Sequence, residues 1–306
     1  MGRLEVKIGK LKLQNPVMAA SGAFGCGEEY REFFDVNKLG AIVTKTITLN
    51  PRIGNKPPRV VETPAGMLNS IGLENGGLEE FLKNKAPFLK RLKGPKVIVS
   101  IAGEDEKEFA CLARSLEKAG FVDALELNLS CPNIKRRYGK DIIAQDERAV
   151  RSIVKAVRAA TGLTVIAKLS PNVTDIAETA KLAESAGADS ISLVNTFSGM
   201  AVDARTQRPV LGNTTGGLSG PAIKPIALKM VWDAYRAVKV PVIGIGGIMT
   251  AQDAVEFILC GAAAVQIGTA NFVDPGASLA IIKGIREYMK EMKIKTLTGI
   301  TGRLKA

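Results

Sequence analysis

Short apolar runs alternate with amphipathic stretches along most of this chain. The runs are NPVMAAS (15–21), AIVTKT (41–46), KVIVSIAG (96–103), ALELNLS (124–130), TVIAKLSP (164–171), SISLVNT (190–196), VPVIGIGG (240–247) and AAVQIGT (263–269). Most have no fully polar face, as strands covered on both sides require. Helical periodicity fills 104–119, 145–160, 174–186, 221–237 and 250–260. Pro221 suits the first turn of its helix, where a missing N–H costs nothing. Thr250 with Asp253 reads as a capped helix start. Eight strands with interleaved helices in 306 residues predict one (β/α)8 barrel over 1–306. The Pro- and Gly-bearing segment 47–95 then becomes an excursion after strand two. A doubly wound open sheet is the alternative, but GCGEEY (25–30) only faintly echoes the glycine fingerprint that such a fold carries after its first strand.

In a barrel, the residues that follow each strand form the active face. Polar groups gather there: Ser21, Lys45, Asn128 to Cys131, Lys168, Ser170, Asn195 and Thr196. Strands seven and eight run into IGIGGIMT (243–250) and QIGTA (266–270). Their glycines expose backbone N–H groups, and the helix starting near Thr250 points its positive end the same way, so a phosphate is expected. Lys45 and Lys168 each end an apolar run, a costly place for an ammonium unless it faces an anion or a polar ring. Asn69, Asn128 and Asn195 carry both donor and acceptor, as a ligand edge of alternating C=O and N–H demands. The implied site holds a phosphorylated cofactor and a small, planar, anionic compound.

Composition narrows the chemistry. With 46% apolar and 24% charged residues, the chain reads as an ordinary globular protein. No apolar run approaches the length of a membrane span, and the charged, alternating N-terminus does not read as a signal peptide, which favours the cytoplasm. There is no histidine, so a proton acceptor must come from another residue type or from a cofactor. The formal charge of +12 would attract nucleic acid. Yet the basic residues are dispersed and aromatics are only 5%, so small anions or an acidic partner explain the charge as well. Cys26, Cys111, Cys131 and Cys260 have no metal-like spacing, and no metal site is expected. Cys111 and Cys260 fit as buried hydrophobes in helical patterns, whereas Cys131 follows a strand directly and precedes Lys135, Arg136 and Arg137.

The motifs NSIGLENGG (69–77), NLSCPN (128–133), VNTF (194–197), GGLSGPAIKPIAL (216–228) and GIGGI (244–248) resemble those of class 1 dihydroorotate dehydrogenases. They look most like the NAD-linked, two-subunit type, and the resemblance runs from about residue 4 to 290. It implies an FMN-binding (β/α)8 barrel that oxidises dihydroorotate to orotate in pyrimidine biosynthesis. Cys131 matches the general base at C5, while C6 delivers hydride to flavin N5. Neighbouring cations would favour its thiolate, and 132–143 would form a lid after strand four. The implied substrate contacts are Lys45, Asn69, Gly72, Leu73, Asn128, Asn195 and Thr196, with Lys45 at the carboxylate. The implied flavin contacts are Ser21, Lys45, Thr46, Ser100, Asn128, Lys168, Val194, Gly220, Gly246, Gly247, Gly268 and Thr269, with Lys168 at the N1–C2 edge. Ser100 stands where the family usually has an asparagine near both flavin and substrate.

The same resemblance implies a homodimer joined to an electron-transfer subunit that carries FAD and a [2Fe-2S] cluster and binds NAD. Four scattered cysteines could not hold such a cluster here. The alternatives are a one-subunit fumarate-reducing enzyme, a tRNA dihydrouridine synthase, a dihydropyrimidine-oxidising subunit and a scaffold without activity.

Overall fold

A computed structural model describes residues 2–129 and 146–305. Eight parallel strands close into a barrel in sequence order: β1 Val17–Ala19, β2 Ala41–Val43, β3 Lys96–Ile101, β4 Ala124–Asn128, β5 Thr164–Lys168, β6 Ser190–Leu193, β7 Val242–Ile245 and β8 Ala262–Ile267. Closure runs through Val265 beside Val17 and Ser192 beside Lys168. Each of the first seven apolar runs contains one of these strands, and β8 starts one residue before its run. The strands stop short of the runs' polar ends, which are the turns that carry the site.

The helices Glu106–Lys118, Glu147–Ala160, Ile176–Ser185, Lys224–Ala237, Ala251–Leu259 and Ala277–Glu291 pack around the barrel. Asp105, Asp146 and Asp175 cap the first three by accepting N–H bonds from the first turn. Thr250 and Asp253 form the expected reciprocal capping box. Pro221 opens a short 3-10 turn, Pro221–Ile223, before the helix that begins at Lys224. Leu125, Val165, Ile243 and Phe257 are among the fully buried residues between barrel and helices. A short ribbon, Val6–Ile8 with Leu11–Leu13, precedes β1.

The excursion after β2 contributes two antiparallel strands, Val60–Thr63 and Gly66–Asn69. They join Phe197–Met200 and Thr215–Ser219, which follow β6, in a four-stranded sheet. Two segments far apart in sequence thus build one wall. Residues 130–145 fall outside the described residues, and with them Cys131 and the expected lid at 132–143.

Candidate active site

Strand alternation sends every second side chain into the barrel. Near the C-terminal ends those interior positions are polar. The Thr46 hydroxyl lies 2.8 Å from Ser100 Oγ and 3.2 Å from Ser21 Oγ. It also accepts a bond from Asn128 Nδ2 at 3.3 Å. Asn195 Nδ2 donates to Asn128 Oδ1 at 3.3 Å, and Asn195 Oδ1 accepts the Thr196 N–H at 2.8 Å. One hydrogen-bonded chain therefore links the turns after β1, β2, β4 and β6 and fixes which way the amides face.

Above this floor opens a cavity of about 330 Å³. Ser21, Lys45, Thr46, Asn69, Gly72, Leu73, Asn128 and Lys168 line it. So do Val194, Asn195, Thr196, Gly220, Gly246, Gly247, Gly268 and Thr269. Ser100 does not: it is fully buried and reaches the cavity only through Thr46. Among the described residues, Lys45 and Lys168 are the only charged side chains in the lining, and no carboxylate joins them. The arrangement selects for an anionic ligand.

At one end the turns after β7 and β8 form a cradle. Gly246 and Gly247 have φ of +125° and +73°, a region that L side chains rarely adopt. A Cβ on Gly247 would come within 2.8 Å of the Lys224 amide nitrogen and 2.9 Å of the Gly220 carbonyl oxygen. Gly268 differs: a Cβ there would meet only Ala20 at 3.7 Å, so the missing side chain leaves ligand space. Thr269 Oγ1 donates to Ser219 Oγ at 2.8 Å beside it. Lys224 is not part of the cradle, because its ammonium is held by Asp253 at 2.5 Å and Glu256 at 2.9 Å. Small residues, hydroxyls and exposed backbone without a carboxylate fit the phosphate end of FMN.

The turn after β2 presents Lys45 to the cavity. Burial holds its pKa below the usual lysine value, with Glu74 pulling it up and Arg59 pushing it down. The surrounding loop is tied by Asn75, whose Oδ1 accepts the N–H groups of Thr48 at 3.1 Å and Gly77 at 2.8 Å. Asn75 Nδ2 also donates to the Leu73 carbonyl at 2.7 Å, holding Leu73 at a left-handed φ of 56°. Arg59 adds bonds to the Asn55 and Ile53 carbonyls and an ion pair with Glu74. Asn69 reaches across to the Gly217 carbonyl at 3.4 Å. A Cβ on Gly217 would fall 1.9 Å from Thr196 Oγ1, so glycine is what lets Thr196 close on the cavity.

Several residues at the site were not singled out from the sequence. Glu126 and Gln266 sit inside apolar runs and meet beneath Lys168. A charged or amide side chain at the centre of a buried strand was the available signal. Asn172 bonds Ser170 Oγ at 3.2 Å, the Thr196 carbonyl at 3.2 Å and the Ser198 N–H at 3.0 Å, bracing the turn after β6. Cys26 is buried in the core, and burial pushes its thiol up to about 12, so it stays protonated and unreactive.

Fold and site together define a (β/α)8 barrel with a cavity at its C-terminal strand ends, lined by two lysines and by a glycine cradle after β7 and β8. The sequence profile of dihydroorotate dehydrogenases matches residues 3–289. The chain is 54% identical over 301 residues to the catalytic subunit of dihydroorotate dehydrogenase B (NAD(+)) from Trichlorobacter lovleyi, covering 98% of both chains. It is 52% identical to the protein so named from Thermoanaerobacter pseudethanolicus, covering 99% of both. A crystal structure of a dihydroorotate dehydrogenase from Eimeria tenella in complex with ferulenol superposes with a TM-score of 0.82 at 24% identity, over 98% of this chain and 88% of that one, a likeness of fold. The chain belongs to the dihydroorotate dehydrogenase family, among the catalytic subunits of its NAD-linked type.

Proposed function

We propose that this protein oxidises (S)-dihydroorotate to orotate in pyrimidine biosynthesis, as one FMN-binding barrel over 1–306. The observation that carries the reading is one cavity lined by a glycine cradle after β7 and β8, by Lys45 and by three asparagines. Bound FMN supplies the two-electron acceptor for the hydrogen that leaves C6 with its electron pair. Lys45 pairs with the substrate carboxylate, and Asn69, Asn128 and Asn195 read the alternating C=O and N–H groups of the ring. Gly72, Leu73 and Thr196 close the substrate side. Ser21, Thr46 and Val194 border the ring system, and Gly220, Gly246, Gly247, Gly268 and Thr269 hold the phosphate end. Lys168 places its positive charge where negative charge accumulates on reduction.

Cys131 is the base in this reading. Its thiolate takes the C5 proton, the C5–H electron pair becomes the C5=C6 double bond, and C6–H leaves with its own pair. Electrons pass to a partner subunit that carries FAD and a [2Fe-2S] cluster and binds NAD, two copies of each subunit forming the assembly. The enzyme works in the cytoplasm, without nucleic acid. Among the described residues, no helix is long and apolar enough to cross a membrane.

The test is anaerobic mixing of the FMN-loaded protein with L-dihydroorotate while the visible flavin band is followed. Bleaching is expected. A yellow protein that stays yellow overturns the substrate, and a protein that cannot bind FMN overturns the reading. Cys131→Ala should retain FMN and bind orotate yet lose roughly 100-fold or more in bleaching rate at neutral pH, the usual worth of a positioned base. Wild-type bleaching by that variant removes the base assignment.

A further inference from the structure

A buried polar cluster drawn from four strands meets the cavity through Lys168 and Gln266. Glu126 of β4 is fully inaccessible, and Lys168 of β5 is 6% exposed. Ser192 Oγ, from β6, donates to Glu126 Oε2 at 3.0 Å, and Gln266 Nε2, from β8, donates to the same oxygen at 2.6 Å. Two donors on one oxygen fix the orientation of the carboxyl group. Its other oxygen, Oε1, lies 3.4 Å from Lys168 Nζ, within ion-pair distance but outside hydrogen-bond geometry. Among the described residues Oε1 therefore has no hydrogen-bond donor. Gln266 Oε1 is buried without a partner as well.

Leaving acceptors unsatisfied in a barrel core is costly, as is burying an ammonium that donates no strong bond to its counter-charge. A structural ion pair would close up to the 2.7–2.9 Å of a charge-assisted hydrogen bond. Here Ser192 and Gln266 hold the carboxylate by its other oxygen, while Lys168 lines the cavity. The cluster holds two opposite charges 3.4 Å apart with no hydrogen bond between them.

We propose that Glu126 is the positioning residue for Lys168, fixing the ammonium at the cavity floor and offsetting its charge, and so sets how readily the group bound above accepts electrons. The inference rests on the FMN reading above. Ser192 and Gln266 serve as the brace that keeps the carboxylate at its distance. The full lysine charge would favour the reduced, anionic flavin so strongly that electrons would be slow to leave. A compensating carboxylate keeps the potential between donor and onward acceptor.

The test is the midpoint potential of the bound flavin in the FMN-loaded protein at neutral pH, without substrate. Glu126→Gln keeps the shape, the Ser192 donor and an amide in the brace, but removes the charge. The reduced flavin should gain about tenfold or more over the oxidised form, an upward shift of about 30 mV for a two-electron couple. Glu126→Asp keeps the charge and withdraws it by one methylene, so its potential should lie between the two. If Glu126→Gln does not fold or load FMN, Glu126→Asp carries the test through a smaller shift of the same sign. A wild-type potential in whichever variants load FMN overturns the proposal, because a brace with only a packing role would alter stability and leave the potential in place. Failure of the wild type to bind FMN would instead overturn the reading on which the proposal rests.

Discussion

Lys45 shows how a single side chain couples its burial to ligand choice. Its depressed pKa means that the free protein releases this proton at lower pH than an exposed lysine does. An anion on the cavity side favours the charged form, so binding and protonation are linked. Affinity for orotate should be full below the depressed pKa of the free protein. Above it, affinity should fall about tenfold per pH unit until the higher pKa of the complex is reached. Titration calorimetry across the alkaline range checks this, and Lys45→Met should abolish the slope and weaken orotate binding at neutral pH by roughly 100-fold, the cost of leaving a buried carboxylate unpaired. A flat profile in the wild type would separate Lys45 from the carboxylate. At this scale the sequence was informative wherever a polar residue ended an apolar run, as at Lys45, Asn128 and Lys168. It was misleading at Ser100, which occupies a strand-end position yet faces Thr46 instead of the cavity. It was silent at Glu126 and Gln266, because one buried polar residue reads as a local anomaly until its partner, 140 positions away, is placed beside it.

Among the elements, the barrel strands and five of the outer helices were legible because their periodicities are strong and their caps local, whereas Ala277–Glu291, which starts without a side-chain cap, was not assigned. Asp105, Asp146, Asp175 and Thr250 each stand directly before the helix they start. The wall above the barrel was not legible as strands. Gly66–Asn69 and Thr215–Ser219 are short and glycine-bearing, poor in the branched residues that favour strands. Their pairing, Asn69 beside Gly217 and Leu68 beside Leu218, is a tertiary fact that no local window contains. The capping box at Thr250 makes a prediction at this scale. Asp253 accepts bonds from the Met249 and Thr250 N–H groups, at 3.0 and 2.8 Å, and holds Lys224 as well. Thr250→Ala should cost about 1 kcal/mol in chemical denaturation, and it should loosen FMN while leaving orotate affinity within about twofold, since the lost cap borders only the cradle. Equal weakening of both ligands would mean that the helix start supports the whole floor.

Considered as a whole, the molecule uses its outer barrel surface for packing and its inner surface for chemistry. Leu125 and Leu127 alternate with Glu126 and Asn128 along β4, so one strand serves both. The barrel was deducible from eight runs and their spacing. The clustering of polar groups inside it followed only once closure brought β4, β5, β6 and β8 around one axis.

That closure bears on how the chain is made. Glu126 leaves the ribosome 140 residues before Gln266, the donor closest to its carboxylate. At ordinary synthesis rates of about 5–20 residues per second, the interval is about 7–28 s. Lys168 and Ser192 emerge within it, but the carboxylate's set of partners stays incomplete until β8 is translated. Water must stand in for the Gln266 amide until then, which disfavours sealing of the barrel before β8 arrives. The residue inferred to set the flavin's potential thus also serves, during biosynthesis, to time the last step of assembly.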